Sequence, residues 1–120
     1  MIEEYNFGVI NVDGKVYNYD VETRWTREVL KWERKEGHIV NVEDVKRAVE
    51  QNPDTIVIGT GEAGMMKVAQ EAQDLILENG IKLVVDTTEQ ATKTFNVIND
   101  DSKEEEGDQD RVIGLFHLTC

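Results

Sequence analysis

The sequence predicts an α/β fold, a single three-layer domain in which about three helices pack against a mixed β-sheet. Three observations favour this class. Short β-rich segments with turn signals fill the N-terminal third, and strand and helix patterns alternate from about residue 41 onward. The length of 120 residues and the hydrophobic content of 39% suit one domain, residues 1–120, with its own core.

The N-terminal part is predicted to form a β-meander. Residues 5–12 have the composition of one strand, and Asp13-Gly14 is a tight hairpin signal. Residues 15–19 then alternate in polarity as a second strand. A third strand is expected at 29–32, where Leu30 and Trp32 share a face, and a charged turn follows at 33–37.

A first helix is predicted to begin after Asn41, a good N-cap whose partner Asp44 stands three residues later. Pro53 ends that region. The next strand, 55–58, contains no polar alternation, which indicates burial on both faces at the centre of a parallel sheet.

A strand–helix–strand unit is predicted next. The second helix should cover 66–79, with Gly80 at its C-terminal end, and the following strand should cover 81–85. This spacing is typical of a right-handed βαβ unit with parallel strands.

The C-terminal third is predicted to contain a helix, an acidic loop and a last strand. The helix should cover 88–98, capped by Thr87 and Gln90. Residues 99–110 contain seven acidic residues and one lysine, a net charge of −6, which predicts a flexible, solvated loop. The final strand should cover 111–118.

Composition narrows the classes of partner. The formal net charge of −12 argues against binding to nucleic acids or anionic membranes. No apolar run is long enough to span a bilayer, and residues 1–5 lack the features of a secretory signal. The single cysteine, Cys120, excludes an internal disulfide, so we expect a cytoplasmic protein.

The motif Gly59-x-Gly61-x-x-Gly64 follows a predicted strand with the spacing of a dinucleotide-binding loop. Asp86 stands where a ribose-binding acid would be expected. A single βαβ unit and the negative charge of Glu62 weaken that interpretation. The alternatives are a small anionic ligand held by the loop, or a tight turn that needs glycine for its conformation or close packing.

Two further groups of residues have both functional and structural interpretations. His117 and Cys120 could form a thiol nucleophile, but residues three apart in a strand point to opposite faces, and His38 is the other possible partner. No ligand spacing predicts a metal site. The segment 24–35 contains both tryptophans among bases and acids. It is either a partner-binding patch or an amphipathic hairpin with Trp32 in the core and Trp25 more exposed.

Several motifs resemble a small family of single-domain proteins without assigned function. The family includes the adipogenesis-associated domain protein of animals, short archaeal and bacterial proteins and, more distantly, the mitochondrial complex I assembly factor 3. The resemblance covers nearly the whole chain and is carried by Lys31-Trp32-Glu33-Arg34 with His38, Val57-Ile58-Gly59-Thr60-Gly61, Asn79-Gly80-Ile81, Thr88-Glu89-Gln90-Ala91 with Asn96, and Phe116-His117-Leu118-Thr119-Cys120.

The resemblance implies a three-layer α/β domain around a mixed sheet, without established catalytic residues. Neither Gly64 nor the acidic loop is a feature of this family. A shared binding site is therefore expected near Gly59, Thr60, Gly61, Trp32, His117 and Cys120.

Two hypotheses about function follow. The first is a non-enzymatic domain that binds another protein or a second copy of itself, without cofactor or metal. The second is a binder of a small molecule or anion, or an enzyme, that uses the loop 59–64.

Overall fold

A five-stranded mixed sheet forms the centre of the molecule in the computed structural model, which describes residues 1–104 and 110–120. The elements in chain order are β1 (Ile2–Asn6), β2 (Val9–Val12), β3 (Lys15–Tyr17), β4 (Val21–Arg24), β5 (Val29–Lys31), β6 (Ile39–Val40), α1 (Val42–Glu50), β7 (Thr55–Thr60), β8 (Lys67–Val68), α2 (Gln70–Glu78), β9 (Lys82–Asp86), α3 (Thr88–Glu104) and β10 (Val112–His117).

The central sheet has the strand order β5-β4-β10-β7-β9. Strand β7 is parallel to both of its neighbours, β9 and β10, whereas β4 runs antiparallel to β10 and β5. All six residues of β7 are buried. The predicted α/β class, the buried parallel strand and the βαβ unit β7–α2–β9 are therefore confirmed.

Two hydrophobic clusters lie on opposite faces of this sheet. Ile56 and Ile58 of β7 join residues of α1 and α2 in one cluster. Val57 points the other way and packs with Phe95 of α3 and residues of β1 and β2. The alternation along β7 is the strand period of two, and it produces the three layers that the sequence predicts.

Local turn and cap signals are confirmed. Asp13 and Gly14 have φ values of +52° and +86°, as a two-residue hairpin with the twist of its strands requires. The backbone N–H of Asn41 donates to Oδ2 of Asp44 at 2.7 Å, which satisfies a group at the start of α1.

The N-terminal meander differs from the prediction. The predicted strand 5–12 is interrupted at 7–8, where Gly8 has a φ of +79°, so β1 and β2 form a hairpin. Strands β1, β2 and β3 make a separate sheet, and the predicted strand at 29–32 joins the central sheet as β5.

Strand β4 has no counterpart in the prediction, because charged residues in a sequence normally indicate an exposed segment and this strand is buried. Glu22 is only 1% exposed. Its carboxylate accepts hydrogen bonds from Nε of Arg24 at 2.8 Å and Nε of Arg47 at 3.1 Å. The paired charges allow a buried strand with a polar sequence.

Two predicted helix boundaries are also wrong. The helix expected at 66–79 begins only at Gln70, because 67–68 forms β8 beside β6. Helix α3 continues to Glu104, six residues beyond its predicted end at 98 and into what was predicted as an acidic loop at 99–110. Residues 105–109 of that segment lie outside the described residues.

Among the described residues, no helix combines the length and the apolar character needed to cross a membrane.

Candidate functional site

The carboxyl ends of the three parallel strands meet at one edge of the sheet. Gly59 of β7 is paired with Asp86 on one side and Phe116 on the other. Thr60 is paired with His117. The fold therefore brings the predicted residues Gly59, Thr60, Gly61, His117 and Cys120 to the same edge, which is where open α/β sheets hold their ligands.

Gly59 and Gly61 are glycines because other parts of the chain occupy the space of their side chains. A Cβ atom at Gly59 would lie 2.8 Å from Oγ1 of Thr88. A Cβ atom at Gly61 would lie 2.6 Å from the main-chain oxygen of Thr119 and 3.1 Å from the ring of His117. Gly61 also has a φ of +98°, which favours glycine.

The loop after β7 uses its backbone amides within the chain. The N–H of Gly61 donates to Oγ1 of Thr88 at 2.8 Å. The N–H of Glu62 donates to the oxygen of Thr119, and that of Gly64 to the oxygen of Gly61. The loop leads into β8, so a helix N-terminus does not follow it as a dinucleotide site requires. This geometry favours the tight-turn interpretation of the glycine motif.

An open groove of about 530 Å³ lies beside this loop. Helix α2 follows β7 on one face of the sheet and α3 follows β9 on the other, so the groove occupies a topological switch point. Its lining is mixed and includes Thr60, Ala63, Met66, Lys67, Val85 and Asp86. Asp86, predicted as a ribose-binding acid, uses Oδ1 to accept the N–H of Thr87.

A charged cluster of His117, Asp20 and Arg34 lies at the same edge of the sheet. The Nδ1 atom of His117 is 2.8 Å from Oδ2 of Asp20, and its Nε2 atom is 2.7 Å from the main-chain oxygen of Cys120. Oδ1 of Asp20 accepts the N–H of Leu118 at 2.8 Å. Asp20 also pairs with Nη1 of Arg34 at 2.6 Å.

Asp20 and Cys120 favour the charged form of His117. Because a carbonyl oxygen can only accept, Nε2 must donate to Cys120, and the carboxylate of Asp20 favours a hydrogen on Nδ1 as well. Arg34 opposes this charge, because its Nη2 lies 3.0 Å from Nδ1 and can donate only to an unprotonated nitrogen. The bond to Asp20 raises the pKa of His117 despite its burial, and the bond to Cys120 adds to the rise. Burial alone would raise the pKa of Asp20, but bonds from His117, the Leu118 N–H and Arg34 hold it below its usual value.

Trp32 lies in the core and reaches this cluster through Arg34. Its ring is 4% exposed, and its Nε1 donates to the main-chain oxygen of Asp44 at 2.9 Å. The guanidinium carbon of Arg34 lies 4.7 Å from the ring centre. Trp32 therefore contacts the cluster through the guanidinium of Arg34. Trp25, predicted to be the more exposed of the two, is half-buried.

The contact between His117 and Cys120 does not involve the thiol. Strand β10 ends at His117, the chain bends, and the imidazole bonds the backbone of Cys120 while that residue as a whole is exposed. His38 is exposed too, and its main-chain oxygen accepts the N–H of Lys67. The His117 bond fixes the segment 118–120 and offers the thiol no base.

A different feature adjoins the groove, the free edge of β9. In the described part of the chain, β9 pairs with β7 and with no other strand. Val85 is 45% exposed, Lys82 and Asp86 are exposed, and Leu83 and Val84 are half-buried. An uncovered strand edge presents unpaired backbone groups to other chains.

Sequence reasoning missed Asp20, Arg34 and this edge. Asp20 lies 97 positions from His117, and Arg34 lies 83 positions from it, so no local pattern joins them. Arg34 stands within the motif that carries the family resemblance, which was the one available signal.

The fold and its site define a small three-layer α/β domain with a closed glycine turn and an open sheet edge. The chain belongs to the family described as protein of unknown function (DUF498/DUF598), whose model matches residues 2–114. This confirms the resemblance to a family without assigned function.

Solved structures share the fold. A conserved hypothetical protein from Pyrococcus horikoshii OT3 is similar with a TM-score of 0.82 and 22% identity, over 100% of this chain and 99% of that chain. A protein called MT938 is similar with a TM-score of 0.80 and 23% identity, over 100% of this chain and 98% of that chain. A Bordetella pertussis protein described as an Mth938-like domain is similar with a TM-score of 0.68 and 14% identity, over 98% of this chain and 84% of that chain. At these identities the likeness concerns the fold alone.

Proposed function

We propose that this protein is a non-enzymatic binding domain that takes up an extended segment of a partner protein along the free edge of β9. The observation that carries the proposal is that this five-residue strand pairs with β7 alone among the strands of residues 1–104 and 110–120. Strand addition at a sheet edge is a common mode of protein recognition, in which the backbone supplies affinity and alternate side chains supply specificity.

The backbone of β9 has a defined orientation. The N–H of Lys82 donates to the main-chain oxygen of Asp54, just before β7, and the main-chain oxygen of Asp86 accepts a bond from the side-chain hydroxyl of Thr60. Since alternate residues of a strand direct their backbone groups to the same side, Leu83 and Val85 direct theirs away from β7. These two residues offer two N–H and two C=O groups to a partner strand.

The side chains define the partner segment. An antiparallel segment would place an acidic residue opposite Lys82 and a basic residue opposite Asp86, with apolar residues between them. The opposite sheet edge, β5, has only three residues and offers a shorter template. We also propose the cytoplasm as the compartment, which the exposed, free thiol of the single cysteine supports.

The test uses a soluble peptide of about nine residues, with lysine and aspartate four positions apart and β-branched residues between them. It is titrated to a large molar excess into dilute ¹⁵N-labelled protein, so that it outcompetes any second copy at the same edge, with a peptide of scrambled order as control. We expect amide shifts at 82–86 that the scrambled peptide does not cause. Shifts confined to another surface, or none, would contradict the proposal.

A matched variant sharpens this test. Proline at position 85 removes an outward N–H and leaves the bonds between β9 and β7 in place, since edge strands tolerate proline where the N–H faces solvent. Val85→Pro should keep its thermal transition and lose peptide binding. Val85→Thr keeps the backbone donor and should retain binding.

A second candidate function has its own observation, the groove at the switch point. Its mixture of polar and apolar side chains suits a small molecule without net charge better than a phosphate, because the lining contains one acid, Asp86, and one base, Lys67. The test is thermal unfolding with nucleosides, sugars and amino acids. A bound ligand at about 100 times its Kd adds about 2.7 kcal/mol, which should raise Tm by several degrees. Ala63→Trp, which fills the groove, should abolish the shift, and no shift with any compound would eliminate this function.

A further inference from the structure

We propose that the partner segment is β9 of a second copy of this chain, so that two copies pair edge to edge as a two-fold dimer. This inference rests on the proposed function and names the partner at the same edge. Its basis is that β9 itself satisfies the requirements set out for a partner segment. Read in the antiparallel direction, its sequence Lys82-Leu83-Val84-Val85-Asp86 has the complementary charge at each end.

The symmetry of the strand fixes the register. With a two-fold axis at Val84, Lys82 of one copy faces Asp86 of the other, and the reverse pair forms at the other end. Leu83 faces Val85 in both directions. Each aliphatic residue thus meets another, and each charge meets its opposite, which is the arrangement that stabilises cross-strand pairs.

The backbone groups agree with this register. Antiparallel strands alternate between pairs that exchange two hydrogen bonds and pairs that exchange none. Leu83 and Val85 direct their backbone groups outward, so the two Leu83–Val85 pairs would form four hydrogen bonds. Lys82 and Asp86 would then occupy non-hydrogen-bonded pairs, where the side chains approach most closely. A register shifted by one residue would lose both the bonds and the charge pairs.

The faces of the two sheets also match. A two-fold axis perpendicular to the sheet keeps the α2 face of one copy beside the α2 face of the other. Leu83, which packs against the cluster of α1 and α2, would therefore continue that apolar layer across the joint. Both helices that contact β9 carry exposed aliphatic residues, Leu77 of α2 and Val97 of α3, which can add apolar area.

The dimer would close the exposed edge without leading to a fibre. The contact is the same patch on both copies, so each copy uses its β9 edge once and the sheet stops at ten strands. A strand of five residues makes a small interface, and we expect a Kd on the order of 10–100 μM. The net charge of −12 on each copy opposes association at low salt.

The test is sedimentation velocity of the full chain at about 0.15 M salt, where surface charges are screened beyond about 8 Å. Concentrations should span about 1 μM to 1 mM, across the expected Kd. The wild type should change from monomer to dimer over this range, and Val85→Pro should weaken association at least about tenfold, the effect of about 1.4 kcal/mol. A wild type that stays monomeric at every concentration would overturn the inference. So would a dimer that Val85→Pro leaves unchanged.

Charge variants provide a test that does not depend on proline. Lys82→Glu places two acidic pairs in its own dimer, and Asp86→Lys places two basic pairs in its own, so each variant alone should be mainly monomeric. Mixed in equal amounts, they should form a heterodimer. The introduced glutamate of one variant then faces the introduced lysine of the other, and the native Lys82–Asp86 pair forms at the opposite end of the joint. Failure to associate on mixing, or equal association of each variant alone, would contradict the antiparallel register.

The two proposals fail separately. A monomeric wild type that still binds the lysine–aspartate peptide through 82–86 would reject the second copy as partner and retain the binding edge. A dimer whose amide shifts on dilution lie outside 82–86, together with no peptide binding, would reject both.

Discussion

His117 and Asp20 lie 97 positions apart in the chain, and the Nδ1 atom of His117 is 2.8 Å from Oδ2 of Asp20. The contact joins the end of the central strand β10 to the residue before β4. Because Oδ1 of Asp20 also accepts the N–H of Leu118, the carboxylate holds both the ring and the backbone that follows it. One side chain thus determines where the strand ends and the terminal segment turns.

We expect the free energy of unfolding to depend on pH through this pair. The folded pKa of His117 is raised, so its contribution is fully present below the usual value of 6.5 and is lost as pH rises through the folded pKa. The folded pKa of Asp20 is lowered, so its contribution is present above the usual 3.8 and is lost as pH falls through the folded pKa. The free energy of unfolding, measured with urea between about pH 3 and about pH 9, should be highest between the folded pKa of Asp20 and that of His117.

Asp20→Asn is the control for this pH dependence. It removes the carboxylate that raises the pKa of His117, so the decline of stability above pH 6.5 should become much smaller. An unchanged decline in this variant would show that other groups cause it.

Gly61→Ala should destabilise the fold more than Gly14→Ala. Both glycines have positive φ, so each substitution carries a backbone cost of about 1–2 kcal/mol. A Cβ at Gly14 meets nothing within 4 Å, whereas one at Gly61 meets the oxygen of Thr119 at 2.6 Å. Denaturant unfolding should therefore give an additional loss of about 1–3 kcal/mol for Gly61→Ala. Equal losses would mean that backbone conformation alone selects glycine at position 61.

Glu22→Gln should be among the most damaging isosteric substitutions. The carboxylate is 1% exposed and is paired with Arg24, itself 9% exposed, so the variant leaves a buried guanidinium with only its 3.3 Å contact to the exposed Glu28. We expect a loss of about 3–5 kcal/mol, measured by denaturant unfolding. Glu33→Gln is the matched control because the Lys31–Glu33 pair is exposed, and it should cost less than about 0.5 kcal/mol. A loss below about 1 kcal/mol for Glu22→Gln would contradict the importance of the buried pair.

Local signals predicted the elements whose causes are local. The Asp13-Gly14 hairpin, the Asn41 cap and the buried strand at 55–58 each depend on a few adjacent residues, and all three are confirmed. Strand β4 escaped prediction because Glu22 and Arg24 have the composition of a surface segment. Their burial depends on pairing with each other and with Arg47, 25 positions away from Glu22.

In the site, too, the features with local causes could be predicted and those that depend on distant residues could not. The chain order places Gly59, Thr60 and His117 at strand ends, so their proximity could be predicted from the topology. The reason for glycine at positions 59 and 61 could not be predicted. It depends on Thr88 and Thr119, which are distant in sequence and occupy the space that a side chain would need. The helix expected at 66–79 was placed too early for a similar reason. The pairing of 67–68 with β6 is a tertiary contact that overrides helix propensity.

The position of β10 has a consequence for how the domain is made. It lies between β4 and β7, so the strand that is synthesised after all the others described here fills the middle of the sheet. Until it leaves the ribosome, β4 and β5 have no strand that joins them to β7 and β9 in the central sheet, and each of these two parts retains an open apolar surface. Folding of the central sheet therefore waits for the synthesis of residues 112–117, and a nascent chain stalled before them should be a target for chaperones and proteases.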